Sequence, residues 1–339
     1  MHLAELTTLR LGGPAPAVLE AASEDVLIDA VRVADEAGDP LLVVAGGSNL
    51  VVADEGVQGT VIHVRTRGIS VDLDSCSGAM VTIQAGEPWD DVVARAVQEE
   101  WSGVEALSGI PGSTGATPIQ NVGAYGQEIA QTLASVRAYD RIDRAVRTIA
   151  AADCGFSYRS SRFKESPHRF VILSVTLQLP LGDLGAPVAY AELARTLGVE
   201  IGTRVPAADV RTAVLELRRG KGMVLDPDDH DTWSAGSFFT NPILTADEAA
   251  ALPDDAPRFP QPGGSVKTSA AWLIERAGFT RGHGTDRVSL STKHTLALTN
   301  RGGATTEELL DLAREVRDGV RARFGITLVP EPVLVGCSL

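Results

Sequence analysis

The sequence predicts an α+β fold in which strands and helices follow one another without strict alternation. Short apolar runs bounded by glycine, proline or polar residues indicate strands, and longer runs with a 3.6-residue period indicate helices. Their order does not fit a single doubly wound parallel sheet. The chain has 339 residues. That is more than one hydrophobic core usually serves, so we expect two or three domains.

The N-terminal region reads as helix, strand, glycine-rich loop and strand. Ser23 is placed to cap a helix that ends at Gly38. The apolar face of this helix is expected to carry Val26, Leu27, Ala30, Val31 and Ala34. Strands are predicted over 41–45 and 60–64. The run GGSNLVV at 46–52 therefore lies between two strands and opens no helix, which excludes a Rossmann turn.

The remaining elements follow from the same patterns. Strands are expected over 79–85, 132–139, 170–177, 296–299 and 327–335, and helices over 88–99, 207–219, 270–277 and 305–324. The polar run LDPDDHDTW at 225–233 reads as a surface excursion. The glycine-rich run at 108–127 contains too many helix and strand breakers for regular structure. A loop of that length inside a compact domain is typically functional.

Composition and charge exclude several classes of protein. Hydrophobic residues make up 44% and charged residues 22%, and the net charge is -14. A nucleic-acid partner is not expected because this field repels polyanions. No apolar run reaches the ~18 residues of a membrane helix and the N-terminus has no secretory pattern, so we expect a cytoplasmic protein without membrane insertion. Three distant cysteines indicate neither disulfides nor zinc, and no metal site is predicted.

Common catalytic motifs are absent. There is no HExxH or GxSxG, and Gly220, Lys221 and Gly222 lack the Ser or Thr that completes a P-loop. Metal-dependent and serine hydrolysis therefore lose support.

Two glycine-rich segments are candidates for ligand binding. In GGSNL at 46–50, two glycines can bring backbone amides close to a diphosphate, although a tight hairpin turn explains the motif slightly better. The segment 109–126 carries five glycines and two prolines. Its backbone could lie against an aromatic ring or a phosphate, and an ordered Ω-like loop is about equally probable.

Three polar residues stand in unusual surroundings. Arg159 in YRSSRFK precedes an apolar strand and could clamp a carboxylate, although most arginines are simply solvated. Ser237 in GSFFTNP follows a glycine and precedes two aromatics, and a serine bonded to the backbone is the commoner outcome. Glu331 lies between two prolines in an apolar segment, where edge exposure is the simpler explanation.

Taken in order, seven segments make the chain resemble the UDP-N-acetylenolpyruvoylglucosamine reductases, flavoenzymes of bacterial cell-wall synthesis. They are TTLRLGG, VAGGSNLVV, GIPGSTGATPIQNVGAYGQEI, YRSSRFK, GSFFTNP, AAWLIE and VPEPVLVG. Tyr190 in AYAELA resembles the longer, type I-like subclass. The resemblance implies a two-part FAD-binding region of the vanillyl-alcohol-oxidase type and a smaller α+β substrate-binding domain. The implied boundaries are 1–66 with 323–339, 67–217, and 218–322.

The resemblance also implies the residues that bind FAD without a covalent bond. Those at the diphosphate would be Gly46, Gly47, Ser48, Asn49 and Leu50. Those along the flavin would be Gly109, Ile110, Pro111, Gly112, Gly115, Ala116, Ile119, Gln120, Asn121, Gly123, Ala124 and Tyr125.

The implied reaction has two halves, in which NADPH reduces the flavin and the flavin then delivers hydride to C3 of the enolpyruvyl substrate. Arg159 and Glu331 would stabilise the resulting enediolate, and Ser237 would protonate C2. We expect like charge and burial to raise the pKa of Glu331, so that it donates a hydrogen bond. The three residues are expected to converge at the flavin.

Tyr158, Tyr190, Lys221 and Asn241 would bind the UDP-sugar substrate. Ser291 stands where related enzymes often have histidine, with Lys293 and His294 beside it. What this segment contacts is open. A monomer is favoured. The competing readings are a flavin oxidase of the same FAD-domain type and a non-catalytic flavin or nucleotide module.

Overall fold

The computed structural model describes residues 1–339. The chain divides into two compact units. The terminal unit comprises residues 1–14, 47–57 and 225–339, and the central unit comprises residues 15–46 and 58–224. The three-part division expected from the sequence stays a prediction.

The secondary structure mixes short strands with helices throughout. The strands are β1 (Ala17–Ala21), β2 (Leu41–Val44), β3 (Leu50–Val52), β4 (Thr60–Val64), β5 (Ile69–Asp74), β6 (Gly78–Gln84), β7 (Gly123–Ala124), β8 (Gln127–Glu128), β9 (Leu133–Asp140), β10 (Ala145–Ala150), β11 (Phe170–Leu179), β12 (Ile243–Leu244), β13 (Phe259–Pro260), β14 (Val266–Lys267), β15 (Val288–Leu290), β16 (Leu298–Asn300) and β17 (Val333–Val335). The α-helices are α1 (Glu24–Ala37), α2 (Trp89–Gln98), α3 (Arg162–Glu165), α4 (Ala191–Leu197), α5 (Ala207–Gly220), α6 (Ala246–Ala250), α7 (Ala270–Arg276) and α8 (Thr306–Phe324). None of these helices is both long and apolar enough to cross a lipid bilayer.

The central unit contains a small parallel sheet and a larger antiparallel sheet. The parallel sheet has the order β1-β4-β2, and the antiparallel sheet has the order β10-β9-β11-β6-β5. Helix α1 contacts all three parallel strands, and the indole of Trp89 at the start of α2 is buried in the core. Both sheets contribute buried aliphatic side chains to this core, which gives the loops above them a rigid base.

The terminal unit is assembled from three stretches of chain. Strand β3 pairs in parallel with β17, Leu50 opposite Val333. Helix α8 buries one apolar face in the core of this unit. The backbone N–H groups of Thr306 and Glu307 donate to the carboxylate of Asp54 at 2.8 and 3.0 Å, so an acidic group from the second stretch stabilises the N-terminus of this helix.

Most predicted elements are confirmed. Ser23 accepts a hydrogen bond from the N–H of Val26, and Gly38 ends α1 in the left-handed conformation, as the cap residues indicated. The prediction for Val26 itself is wrong, because its side chain is 44% exposed. Leu27, Val31 and Ala34 form the buried stripe, and Val26 lies one residue, about 100°, off that stripe.

Three further expectations need correction. The run at 225–233 is only partly a surface excursion, since Asp231 and Thr232 are buried. Asp231 tolerates burial because its carboxylate accepts hydrogen bonds from Thr292 and Arg301. Of the strand expected over 327–335, only β17 (Val333–Val335) forms, because the two prolines that flank Glu331 have no N–H to donate to a neighbouring strand. Segment 108–127 also contains regular structure, described below.

Candidate functional site

The loop after β2 comes close to the second glycine-rich segment at Gly46. A Cβ on Gly46 would lie 2.6 Å from the Cα of Gly112, a distance that real Cβ atoms do not adopt. The two glycine-rich segments of the sequence therefore meet backbone to backbone within the central unit. Only glycine at position 46 permits this approach.

The next residues of the same loop are held in the terminal unit. Gly47 has φ +54°, and a Cβ there would lie 1.8 Å from the carbonyl oxygen of Leu6. The carbonyl of Asn49 accepts a hydrogen bond from the N–H of Val333 at 2.9 Å. Strands β2 and β3 do not pair with each other, because β2 pairs with β4 and β3 with β17. The loop is thus not a hairpin turn, and that simpler reading is wrong.

The long glycine-rich segment is ordered by contacts with β6 and α2. The N–H of Gly115 donates to the carbonyl of Ala85 at 2.9 Å, and the N–H of Gly109 donates to Oδ1 of Asp90 at 2.6 Å. Burial opposes ionisation of Asp90, but its pair with Arg211 and the Gly109 N–H outweigh burial and lower its pKa. The hydrogen bonds to Ala85 and Asp90 therefore hold the backbone of this segment in a fixed conformation.

The end of this segment is a β-hairpin, which the sequence analysis did not predict. Strands β7 and β8 are joined by Tyr125 at φ +48° and Gly126 at φ +87°. Two consecutive positive φ angles are typical of a type I′ turn. A bulky residue rarely adopts such a φ, so the backbone at Tyr125 is strained.

The side chain of Tyr125, which was predicted to bind the flavin, contacts two residues that were predicted to bind the substrate. Its ring meets that of Tyr190 edge to face, with centroids 5.6 Å apart, and Nζ of Lys221 lies 5.6 Å from the Tyr125 centroid. Lys221 also pairs with Oε2 of Glu192 at 2.5 Å. Burial raises the pKa of Tyr125 to about 12, so its phenol stays neutral and can donate.

Arg218, next to Tyr125, was missed by the sequence analysis. Burial lowers the pKa of its guanidinium to about 10, while Tyr125 and Asp90 act in the opposite direction. Its Nη2 donates to the carbonyl of Met223 at 2.8 Å. Arg218 therefore adds positive charge beside Tyr125.

Arg159 lies at the tip of a turn in the central unit. Ser157 and Ser160 exchange both backbone hydrogen bonds, and Arg159 has φ +54°. Its Nη2 donates to the carbonyl of Gly123 at 2.9 Å. The Arg159 guanidinium thus contacts the hairpin of the glycine-rich segment, and its carbon Cζ lies 5.5 Å from the ring centroid of Tyr158.

The segments that carry Ser237 and Glu331 are paired in the terminal unit. The N–H of Glu331 donates to the carbonyl of Phe238 at 2.8 Å, which places the two segments side by side. Both side chains are half-buried, and the neighbouring Phe238 and Phe239 rings are fully buried. Nδ2 of Asn49 donates to the carbonyl of Glu331 at 3.4 Å, so the GGSNL loop reaches the same place.

Asn241 and the segment around Ser291 make hydrogen bonds within the terminal unit. Oδ1 of Asn241 accepts the N–H of Ala270, the first residue of α7. Ser291 is fully buried, and its Oγ accepts from the N–H groups of Lys293 and His294. Nζ of Lys293 pairs with Asp229 at 2.5 Å. Ser291 therefore stabilises a turn within its own segment.

The structure thus groups the predicted residues into local sets. Arg159 contacts Gly123, Tyr125 contacts Tyr190 and Lys221, and Glu331 bonds to Asn49 and to Phe238, the residue after Ser237. The convergence of Arg159 with Ser237 and Glu331 stays a prediction.

Glu105 is the clearest omission of the sequence analysis. It is fully buried, and its carboxylate accepts from the N–H groups of Gly103 and Ala186 and from Nε2 of Gln127. Gln127 begins β8, and Ala186 lies four residues before Tyr190. A lone glutamate in a glycine-rich stretch gives no sequence signal for such a role.

The residues present fit the diphosphate and ring of a flavin dinucleotide. In the central unit, Gly46 and Gly112 leave a surface without side chains. In the terminal unit, Ser48 and Asn49 form a half-exposed turn. Such backbone concavities accept phosphate oxygens. Ile110, Pro111 and Gly112 are half-exposed on the ordered segment, where a planar ring can lie.

Comparisons with known proteins agree with this geometry. Residues 15–148 match a family model described as FAD binding domain, and residues 226–335 match the C-terminal domain of UDP-N-acetylenolpyruvoylglucosamine reductase. The chain is 56% identical to the UDP-N-acetylenolpyruvoylglucosamine reductase of Cutibacterium acnes, over 99% of this chain and 90% of the relative. It is 59% identical to that of Thermobifida fusca, over 99% of this chain and 97% of the relative.

A solved structure shares the fold over nearly the whole chain. It is the UDP-N-acetylenolpyruvylglucosamine reductase of Thermus caldophilus, at 25% identity and a TM-score of 0.67, covering 99% of this chain and 97% of that one. The predicted α+β class, with a FAD-binding region and a separate C-terminal domain, is confirmed.

Proposed function

The chain belongs to the UDP-N-acetylenolpyruvoylglucosamine reductase family, and we propose that it reduces UDP-N-acetylglucosamine-enolpyruvate to UDP-N-acetylmuramate with NADPH. Among the structural features, the proposal depends most on the pairing of the Ser237 and Glu331 segments through the Glu331 N–H and the Phe238 carbonyl. This pairing joins the segments that carry the Ser237 hydroxyl and the Glu331 carboxyl, next to the fully buried rings of Phe238 and Phe239.

The glycine-rich segments would hold the cofactor. Gly46 to Leu50 would bind the FAD diphosphate, and the surface from Gly109 to Tyr125 would lie along the flavin, without a covalent bond. When bound, FAD accepts hydride from NADPH and passes it to the substrate. The backbone contacts that order these loops keep this surface in place before the cofactor arrives.

Arg159 and Glu331 would act on the substrate carboxylate. Reduction at C3 leaves C2 electron-rich, and its charge spreads into the carboxylate oxygens. The Arg159 guanidinium supplies charge-assisted hydrogen bonds to such oxygens. Glu331 would be protonated when the substrate carboxylate faces it, since like charge and burial favour the neutral acid, and it would then donate a hydrogen bond.

Ser237 would deliver the proton to C2. A hydroxyl is a weak acid, but an electron-rich carbon is a strong base, so positioning can compensate for the unfavourable pKa. The half-buried Ser237 is held on a segment whose neighbours Phe238 and Phe239 are buried. These rings would restrict the access of water to the reacting atoms.

Tyr158, Tyr190, Lys221 and Asn241 would bind the UDP-sugar. The acidic chain needs local positive charge to hold a diphosphate, and Lys221 and Tyr190 supply cationic and hydroxyl donors. The Lys221–Glu192 pair shows that this lysine is oriented by protein contacts. Within this proposal the substrate-binding domain spans residues 218–322, and Tyr158 and Tyr190 belong to the second FAD-binding subdomain, residues 67–217.

We place the enzyme in the cytoplasm as a monomer in peptidoglycan precursor synthesis, which cell shape and division require. The family and the two matched domains argue against a flavin oxidase that acts on another substrate. NADPH oxidation that depends on the enolpyruvyl sugar nucleotide separates the two activities.

Rapid mixing of the Ser237→Ala variant tests the proposal. Reduction of bound FAD by NADPH should stay within about twofold of wild type, and reoxidation by substrate should slow by about a hundredfold or more. Ser70, exposed on β5, provides the control variant Ser70→Ala, for which both rates should be unchanged. Equal slowing of both half-reactions by Ser237→Ala would contradict the proton-donor role.

A further inference from the structure

The turn that carries Arg159 holds a conformation that arginine does not adopt readily. Its φ of +54° lies in the left-handed region, and Ser157 and Ser160 close the turn with hydrogen bonds of 3.1 and 3.2 Å. Such a backbone persists only where surrounding contacts determine it. The contacts that do so therefore control where the guanidinium points.

Three of the contacts that hold this turn are made by the side chains of Asn121, Arg159 and Lys164. Nδ2 of Asn121 donates to the carbonyl of Ser157 at 3.1 Å, and Nη2 of Arg159 donates to the carbonyl of Gly123 at 2.9 Å. The third is made by Lys164, whose Nζ donates to the backbone carbonyl of Arg159 at 2.9 Å. Among these three contacts, only the Lys164 hydrogen bond is made to the backbone of Arg159 itself.

The element that carries Lys164 is itself anchored. Lys164 lies in α3, whose N-cap Ser161 accepts hydrogen bonds from the N–H groups of Phe163 and Lys164. The same Ser161 hydroxyl donates to the carbonyl of Ile119 at 2.7 Å, on the predicted flavin-binding segment. These bonds fix the position of Lys164 relative to the predicted flavin-binding segment.

We propose that Lys164 is a positioning residue for catalysis, which holds Arg159 in its left-handed conformation and so aims its guanidinium at the substrate carboxylate. The inference rests on the proposed function. An ammonium suits the task because it donates strongly to a carbonyl and cannot itself accept. Lys164 needs no contact with the substrate to act in this way.

The central test compares three variants in rapid-mixing experiments. Lys164→Met removes the donor and keeps most of the apolar stem, so substrate-driven reoxidation should slow by about tenfold or more, while NADPH-driven reduction stays within about twofold. Lys164→Arg restores a cationic donor and should recover most of the rate. Arg162→Met is the control, because Arg162 lies in the same helix and also donates to a backbone carbonyl, that of Asp153.

A double-mutant cycle asks whether Lys164 acts through Arg159. In an Arg159→Ala background, Lys164→Met should slow reoxidation little further, because the group it positions is already gone. A crystal structure of Lys164→Met should show residue 159 outside the left-handed region or its guanidinium displaced from Gly123. Additive effects, an unchanged Arg159, or an equal loss in Arg162→Met would each overturn the proposal.

A replacement variant and a wild-type measurement ensure that the experiment can contradict the proposal. If Lys164→Met does not fold by thermal melting, Lys164→Gln, which keeps a neutral donor of shorter reach, is measured instead with the same expectation. Failure of the proposed function is distinguishable, since wild-type protein would then show no NADPH oxidation dependent on the enolpyruvyl sugar nucleotide. Wild-type activity with normal Lys164 variants would overturn only the present inference.

Discussion

Gly46 and Gly112 approach so closely that a Cβ on Gly46 would lie 2.6 Å from the Cα of Gly112. Both glycines belong to segments that the sequence marks as ligand-binding loops. Their contact makes the shape of one loop depend on the other.

The Gly46→Ala variant should therefore lose both stability and cofactor. The methyl group forces one backbone to move, at a cost of about 1–3 kcal/mol in the free energy of unfolding. We expect purified protein with a lower ratio of flavin to protein absorbance and an earlier urea midpoint. Gly220→Ala is the control, because Gly220 ends helix α5 and a methyl group there would meet no neighbouring atom within 4 Å. Full flavin occupancy in Gly46→Ala would contradict the expectation.

Glu105→Ala should destabilise the hairpin that carries Tyr125. The substitution leaves the part-buried N–H groups of Gly103 and Ala186 and the buried amide of Gln127 without their acceptor, which we expect to cost about 3 kcal/mol. Urea unfolding measures this loss, and the KM for the sugar nucleotide should rise as the hairpin loosens. Glu216→Ala, on the exposed face of α5, should change stability by less than about 0.5 kcal/mol. A loss no larger than that of the Glu216 variant would exclude the anchoring role.

Tyr125 should remain a neutral phenol throughout the working pH range. Burial raises its pKa to about 12, so ionisation begins only in strongly alkaline solution. Ultraviolet difference titration should resolve a tyrosinate step near that pH. The step should vanish in Tyr125→Phe and persist in Tyr158→Phe. A Tyr125 step close to the ordinary value of about 10 would show that the ring is more hydrated than the structure indicates.

Asp140 should make the fold sensitive to acid. Hydrogen bonds from Arg169 lower the pKa of this carboxyl in the folded state, against the opposing effect of burial. Its contribution to stability is therefore complete above its unfolded pKa of about 3.9 and is lost as pH falls through the lower folded value. Thermal melts of Asp140→Asn should show a large drop at pH 7 that narrows toward pH 3. A drop of equal size at both pH values would refute the electrostatic origin.

The sequence was most informative where local rules decide the outcome. Ser23 and Gly38 delimit α1 because a side-chain cap and a left-handed glycine act within one turn of the helix. The buried role of Asp231 could not be predicted, since its partners Thr292 and Arg301 lie some sixty to seventy residues away in the chain.

The candidate site likewise contains some residues that the sequence reveals and others that it does not. Its glycine loops and Arg159 stand out because residue type and order resemble a family. Glu105 acts through hydrogen bonds from two backbone N–H groups and the Gln127 side chain, and Lys164 through its bond to a backbone carbonyl. An isolated charged residue gives no pattern from which such bonds can be inferred. The type I′ turn was hidden as well, because tyrosine is a poor candidate for positive φ.

The three-stretch construction of the terminal unit has a kinetic consequence. Leu334 on β17 pairs with Val51 on β3, so this contact forms only after residue 334 has left the ribosome. The central unit draws only on residues 15–224 and can complete its own contacts earlier in synthesis. Strand β3 lacks its strand partner during that interval, so its hydrogen-bonding edge is exposed on the nascent chain.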